Sequence, residues 1–287
     1  MKMGQIIALL AMVTVVMAVF AAGTAQPREP VYGGKRLSQW LDEYQRGIPK
    51  PEYKGDPQMC ARAEEAVRKI GTNAMPWLLQ ELSAKEATQG GELPTNFTSG
   101  EAIGRRWLAA TAFNILGPSA KNATPTLIRL LEDKQTSYIA TSALGGIGVE
   151  SIPVLTQALT NTNACARESA ARVLGMFGKE AQSAIPALIC CARDKDDSVR
   201  GFATFSLGQI GQEPDIGVPV LIANLRDADH STRWNAACAL AKFGDRAKSA
   251  FPALLKVVRE DHSDLRETVT EALHQIDPKA AAKAVTK

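Results

Sequence analysis

A glycine and a proline recur at a fixed distance along this 287-residue chain, and no other feature limits its folds as strongly. The glycines are Gly71, Gly117, Gly148, Gly178, Gly211 and Gly244, and the prolines are Pro76, Pro125, Pro153, Pro186, Pro219 and Pro252. The last four glycines stand 30, 33 and 33 residues apart, and the last four prolines 33 apart each time. A period near 33 is the length of one helical hairpin in a stacked array. Before each glycine runs an apolar helical stretch, and after each proline a second one. Glycine stops the first helix because it adopts positive φ without a Cβ clash. Proline sits in the first turn of the second helix, where its missing N–H loses no partner. Asn73, Asn122, Ser151, Ser183, Asp215 and Ser249 stand just upstream of the prolines and are expected to cap that turn.

The apolar positions supply a common core. In the first helices Ala170, Leu174 and Phe177 recur as Ala203, Leu207 and Ile210, then as Ala236, Leu240 and Phe243. The spacing i, i+4, i+7 is one helical face. In the second helices Leu188, Leu221 and Leu254 follow the proline by two residues, and Ala192, Leu225 and Val258 by six. Burying one such leucine stabilises by ~1.5–3 kcal/mol, while ordering each residue costs ~1–2 kcal/mol. A lone hairpin would therefore not fold, and neighbours must cover each other. The expected fold is all-α, an α-α superhelix of about six to seven helical hairpins.

A polar register accompanies the apolar one. Arg106, Arg167, Arg200 and Arg233 each stand eleven residues before the glycine, and Arg266 holds the same place before Asp277. Asp194, Asp227 and Glu260 lie six residues before the last three of these arginines. Stacking predicts ion pairs in register between neighbouring units, because the acids nearly neutralise the arginine row.

Pro186, Asp194 and Arg200, repeated as Pro219, Asp227 and Arg233 and with glutamate as Pro252, Glu260 and Arg266, resemble the HEAT repeat. The weaker set Pro153, Asn161 and Arg167 follows the same spacing. The short, Ala-rich units are similar to phycobilisome-lyase-like HEAT repeats, and the likeness runs over residues 58 to 287. It implies a HEAT-like solenoid that binds partners along a concave surface lined by the second helices. Positions four after the proline should then face outward: Gln80, Arg129, Gln157, Cys190, Ala223 and Lys256. Gln80, Arg129, Gln157 and Lys256 are the polar members and the candidate binding residues for a protein or peptide partner.

The flanks are less regular. Lys2 precedes an uncharged run, Ile6 to Ala22, and Gly23-Thr24-Ala25-Gln26 places small residues around a cut after Ala25. This is the order of a secretory signal peptide, residues 1–25, so a bacterial export signal and a periplasmic or secreted protein are expected. Retention of the segment as an inner-membrane anchor is the alternative. Residues 26–57 form an N-terminal extension whose short helix, carrying Leu37, Trp40, Leu41 and Tyr44, should cover the end of the first hairpin. The solenoid follows as residues 58–287, interrupted by an insertion at 84–104 that could carry binding residues.

Charge and motif content bound the chemistry. Thirty-three Lys and Arg against 30 Asp and Glu give a formal net charge of +3. So even a balance offers no concentrated basic footprint for nucleic acid. H-E-x-x-H, G-x-S-x-G and P-loop patterns are missing from the sequence. His230 and His262 occupy equivalent places, each after an aspartate. Two histidines are a weak metal signal, and their Asp-His-Ser loops read more simply as helix caps. The five cysteines are an odd number without a C-x-x-C pair, which suits buried apolar side chains better than a disulfide framework. The sequence thus reads as an exported, non-catalytic scaffold without cofactor or metal, the alternative being a lyase-like or chromophore-handling protein.

Overall fold

The computed structural model describes residues 27–83, 101–260 and 265–285. Val31–Tyr32 (β1) and Lys35–Arg36 (β2) form a small antiparallel hairpin, and everything regular after it is helical. Leu37–Gly47 (α1) precedes seven helical hairpins among the described residues. These pair Pro57–Ile70 (α2) with Met75–Ser83 (α3), Glu101–Leu116 (α4) with Thr124–Leu130 (α5), and Lys134–Ile147 (α6) with Ile152–Ala158 (α7). Ala164–Met176 (α8) pairs with Ile185–Cys191 (α9), Asp197–Ile210 (α10) with Pro214–Asn224 (α11), His230–Phe243 (α12) with Phe251–Glu260 (α13), and Leu265–Ile276 (α14) with Pro278–Val285 (α15). The chain is thus an all-α superhelix of the expected repeat number. The segment 1–25 and most of the 84–104 insertion lie outside the described residues, and among the described residues no single helix is long and apolar enough to cross a membrane.

One buried layer runs through the whole stack. Ala170, Leu174, Ala203, Leu207, Ile210, Ala236, Leu240 and Phe243 are buried from the first helices, and Leu188, Ala192, Leu221, Leu225 and Leu254 from the second. Phe177 and Val258 are half-buried against them. At the N-terminal end Leu37 and Leu41 of α1 are fully enclosed, with Trp40 and Tyr44 packed alongside. Gln45 Nε2 donates to Thr111 Oγ1 of α4 at 3.0 Å. The extension therefore covers the first hairpin, and the β-hairpin, which the sequence pattern does not reveal, ties onto it where Trp40 Nε1 donates to the Tyr32 carbonyl at 3.0 Å.

The junctions differ from the expected stop, cap and start. Between helices the chain winds as 3-10 turns at Gly71–Ala74, Gly117–Ala123, Val149–Ser151, Gly178–Ala184 and Gly244–Ala250. These run directly into the second helix, and the residues before α5, α7 and α9 are already helical, without side-chain caps. A cap needs extended backbone at that residue, so Asn122 and Ser183 do not serve, and the Ser151 hydroxyl donates back to the Gly148 carbonyl at 2.6 Å. The α11 junction has no such turn: Glu213, at φ 51°, precedes the helix, and Asp215 lies inside it. Side-chain caps instead begin the first helices. Asp56, Asp133, Asn163, Asp196 and Asp229 accept backbone N–H groups at the starts of α2, α6, α8, α10 and α12. This matches the simple reading of the Asp-His-Ser loop for Asp229; His262 lies outside the described residues. The glycines carry positive φ as expected, but only Gly211 is left-handed helical. Gly71, Gly148 and Gly244 combine positive φ with ψ of −143°, −160° and −134°, backbone that is open essentially to glycine alone.

Candidate functional site

The arginine register becomes a set of interlocks between hairpins. Arg167 donates from Nε and Nη2 to both carboxylate oxygens of Asp194, at 2.8 and 2.7 Å. Arg200 holds Asp227 in the same fork, at 2.8 Å for each bond. The third nitrogen, Nη1, turns back to loop carbonyls ahead of its own helix: Asn161 and Thr162 for Arg167, Asp194 and Lys195 for Arg200, Asp227 and Ala228 for Arg233. Each aspartate also accepts the amide two residues on, at 2.9 Å. The acid within one motif therefore pairs with the arginine of the preceding motif, as stacking predicted. The forks are nearly closed to solvent, and planar bidentate pairs of this kind are the strong ones. Burial would raise the Asp194 carboxyl, but the hydrogen bonds from Arg167 and the Asp196 amide outweigh it and hold it below its ordinary value. Asp227 is lowered by the Arg200 hydrogen bond against burial.

The two ranks of helices are packed unequally. Consecutive first helices touch along their lengths, while consecutive second helices meet at few places. Small residues allow this. A Cβ on Gly208 would stand 2.5 Å from the Ala239 Cβ and 2.6 Å from its Cα, and one on Gly175 would stand 2.5 Å from Ser206 Oγ. A stack bends toward the rank whose members approach most closely. The inner side therefore belongs to the first helices, whereas the resemblance implied the second.

The candidate residues read from the sequence lie on the looser rank. Arg129, Gln157, Cys190, Ala223 and Lys256 are exposed on the second helices, as the count from the proline predicts. Gln80 is half-buried, and its Oε1 is enclosed without a hydrogen-bond partner. Arg129 Nη2 donates to Thr126 Oγ1 at 3.2 Å, and Lys256 lies 3.6 Å from Glu260. Each is engaged within its own helix, and the spacing strings them along the stack without converging on a pocket. A shallow hollow of about 330 Å³ includes Lys256 with Leu225, Arg226, Val257 and Glu260.

A more connected surface lies on the first helices, on the side turned away from the second. Trp107 of α4 meets Tyr138 of α6 edge to face, with centroids 5.5 Å apart and planes at 72°. The Arg172 guanidinium of α8 stands 5.7 Å from the Tyr138 ring and 5.8 Å from Phe202 of α10. Its Nη2 donates to Thr141 Oγ1 at 3.2 Å, and its Nε is enclosed without a partner. Around this cradle Tyr138, Met176 and Trp234 keep 57%, 63% and 43% of their surface exposed. Glu168 sits one turn before Arg172, its carboxyl pushed up chiefly by burial while Arg172 opposes the shift. Aromatic walls around a cation bind by area and by charge together. Counting from the proline passes over this surface, yet its signal is in the chain: Trp107, Tyr138 and Trp234 all stand ten residues before their glycine.

Among the described residues no three His, Cys, Asp or Glu side chains gather as a metal site. Cys191 is buried, donating toward the Leu159 carbonyl, and burial, with Asp194 adding, pushes its thiol up to about 11. Its neighbour Cys190 is exposed. Thiolate is the reactive form, so iodoacetamide at pH 8 is expected to alkylate Cys190 well before Cys191, read by peptide mass spectrometry. Equal labelling of the two would contradict the burial.

Fold and interlocks together define an α-solenoid of stacked helical hairpins. The HEAT-repeat model matches residues 124–208 and 218–287, more than half of the chain, and the protein belongs to that family. The model of PBS lyase HEAT-like repeats matches residues 199–227. No curated protein matches significantly. Among solved structures, the complex of CpcE and CpcF of phycocyanin lyase from Nostoc sp. PCC7120 is 24% identical over 53% of this chain and 98% of that one, with a TM-score of 0.47. The karyopherin Kap121p, bound to the extreme C-terminus of the protein phosphatase Cdc14p, is 14% identical over 87% of this chain and 31% of that one, at 0.53. A designed armadillo repeat protein in complex with a (KR)4 peptide is 17% identical over 84% and 99%, at 0.45.

Proposed function

We propose that this HEAT-repeat protein is a non-catalytic scaffold that binds a protein or peptide partner on the face of its first helices, centred on Tyr138 and Arg172. The observation that carries this reading is the exposed group of Tyr138, Met176 and Trp234 around an arginine with spare donors, on the most tightly packed rank of the fold. Large aromatic and methionine side chains left in water mark interaction surfaces, and a rigid support lowers the entropy lost on binding. The even charge balance argues against a nucleic acid. Export through residues 1–25 belongs to the same reading, and it puts the partner in the envelope or outside the cell. N-terminal sequencing of the mature protein should begin at Gln26; a chain retaining Met1 or Lys2 would replace export of a free protein with anchoring.

The binding face is tested by recovery of partners from envelope extract. Tyr138→Ala combined with Arg172→Ala is expected to lower recovery at least tenfold, since two central contacts are each worth more than ~1 kcal/mol. Arg129→Glu with Lys256→Glu, on the second helices, is expected to leave recovery unchanged. The reverse pattern would move the site to the strip of Gln80, Arg129, Gln157 and Lys256. A second reading, a lyase-like handler of a chromophore, draws on the PBS lyase-like match at residues 199–227. It requires visible absorbance in the purified protein, and a colourless preparation would remove it.

A further inference from the structure

The arginine register contains one member that breaks the pattern. Arg106 occupies on α4 the place that Arg167 and Arg200 occupy on α8 and α10, and it is only 6% exposed. Its Nε and Nη2 are enclosed and, among the described residues, have no hydrogen-bond partner. In Arg167 and Arg200 these same two nitrogens grip a carboxylate supplied 27 residues further along. Twenty-seven residues after Arg106 stands Asp133, and loop length gives it a different task. Between α9 and α10, and between α11 and α12, five residues intervene and carry two acids: Asp194 and Asp227 enter the forks, while Asp196 and Asp229 cap the next helix. Between α5 and α6 only residues 131–133 intervene. Asp133 is there the last residue before the helix and takes the capping role, accepting the Gln135 amide at 2.9 Å. One acid does not occupy both places.

A guanidinium shut away from water without an acceptor is a costly arrangement, and an anion relieves it. We propose that Arg106 is a binding site for a carboxylate from outside the chain, held in the bidentate fork that Arg167 forms with Asp194. A carboxylate is the group this fork holds twice elsewhere in the same stack, and its planar geometry matches two parallel N–H donors. Enclosure makes each of these bonds stronger than at a surface.

Thermal unfolding of the full chain at constant ionic strength tests this. Acetate is one probe and an Ala-Asp-Ala peptide with blocked ends the other, the Ala-Asn-Ala peptide serving as control. At a hundredfold excess over Kd, the wild-type Tm is expected to rise by roughly 5–10 °C. Arg106→Met should lose that rise and, without carboxylate, should unfold at or above the wild-type temperature. Arg167→Met should unfold lower while keeping the rise. A response to acetate assigns the site to free small carboxylates, and a response to the aspartate peptide alone assigns it to an acidic side chain of a bound protein. Identical responses of wild type and Arg106→Met overturn the proposal. So does a loss of stability or folding in Arg106→Met comparable to that in Arg167→Met, because Arg106 would then have its partner within the chain.

Discussion

Asp194→Ala is expected to destabilise the protein by about 3–5 kcal/mol, because it strands the buried Arg167 guanidinium with its Nε and Nη2 unmatched. Arg167 is enclosed by the hairpin below and the hairpin above, so water does not replace the lost oxygens without opening that junction. The double variant Arg167→Met/Asp194→Leu should recover most of the loss, since exchanging both partners for apolar groups removes the unmatched charge. Urea unfolding followed by circular dichroism measures both. A single variant within about 1 kcal/mol of wild type would mean that the fork is ornamental. The same pair sets an acid limit. The Asp194 and Asp227 carboxyls titrate below their ordinary value of 3.8 in the folded chain. Their contribution is fully present above the unfolded value and is lost as pH falls through the depressed folded values. Stability should therefore drop below about pH 4, and Asp194→Asn/Asp227→Asn should flatten that part of the profile.

Gly208→Ala should be nearly as damaging as its size is small, at about 1–3 kcal/mol. The added methyl would meet the Ala239 Cβ at 2.5 Å and the Ala239 Cα at 2.6 Å. The second of these is backbone, so relief demands that α10 and α12 move apart. Ala239→Gly in the same chain should restore much of the stability, and this rescue distinguishes a steric effect from a change in helix propensity, to which alanine contributes favourably. Thermal melts of the two single variants and the double variant decide it. Additive losses in the double variant would rule out the contact as the cause. Gly175→Ala offers a milder comparison. Its obstacle, Ser206 Oγ, sits at 2.5 Å and can turn away only by giving up its bond to the Ala171 carbonyl at 2.7 Å.

Much of this architecture is legible in the residue order. The glycine and proline spacing yields the hairpins, and the i, i+4, i+7 sets yield the buried face. Arginines eleven residues before each glycine foretell the interlocks, because equal spacing puts equivalent residues at equal heights in a stack. The capping prediction fails for a local reason. A proline preceded by Asn or Ser resembles a fresh helix start, whereas the 3-10 turns supply the amide partners from within the chain. The strip of Gln80, Arg129, Gln157 and Lys256 is correctly read as facing outward, apart from half-buried Gln80. Its chosen rank rests on likeness to other repeat proteins, and packing puts the inner side on the other rank.

The sequence by itself determines the hairpin, its period, its buried face and the register of its charges, for these depend on spacing along one helix. Only the tertiary structure decides which rank lies inside, because that depends on how closely Gly208 and Gly175 admit their neighbours. It also decides that Tyr138, Arg172 and Phe202, drawn from three hairpins, form one cradle, and that Arg106 is left without a carboxylate. Both outcomes turn on distances between helices far apart in the chain, and a loop two residues shorter was enough to change the second.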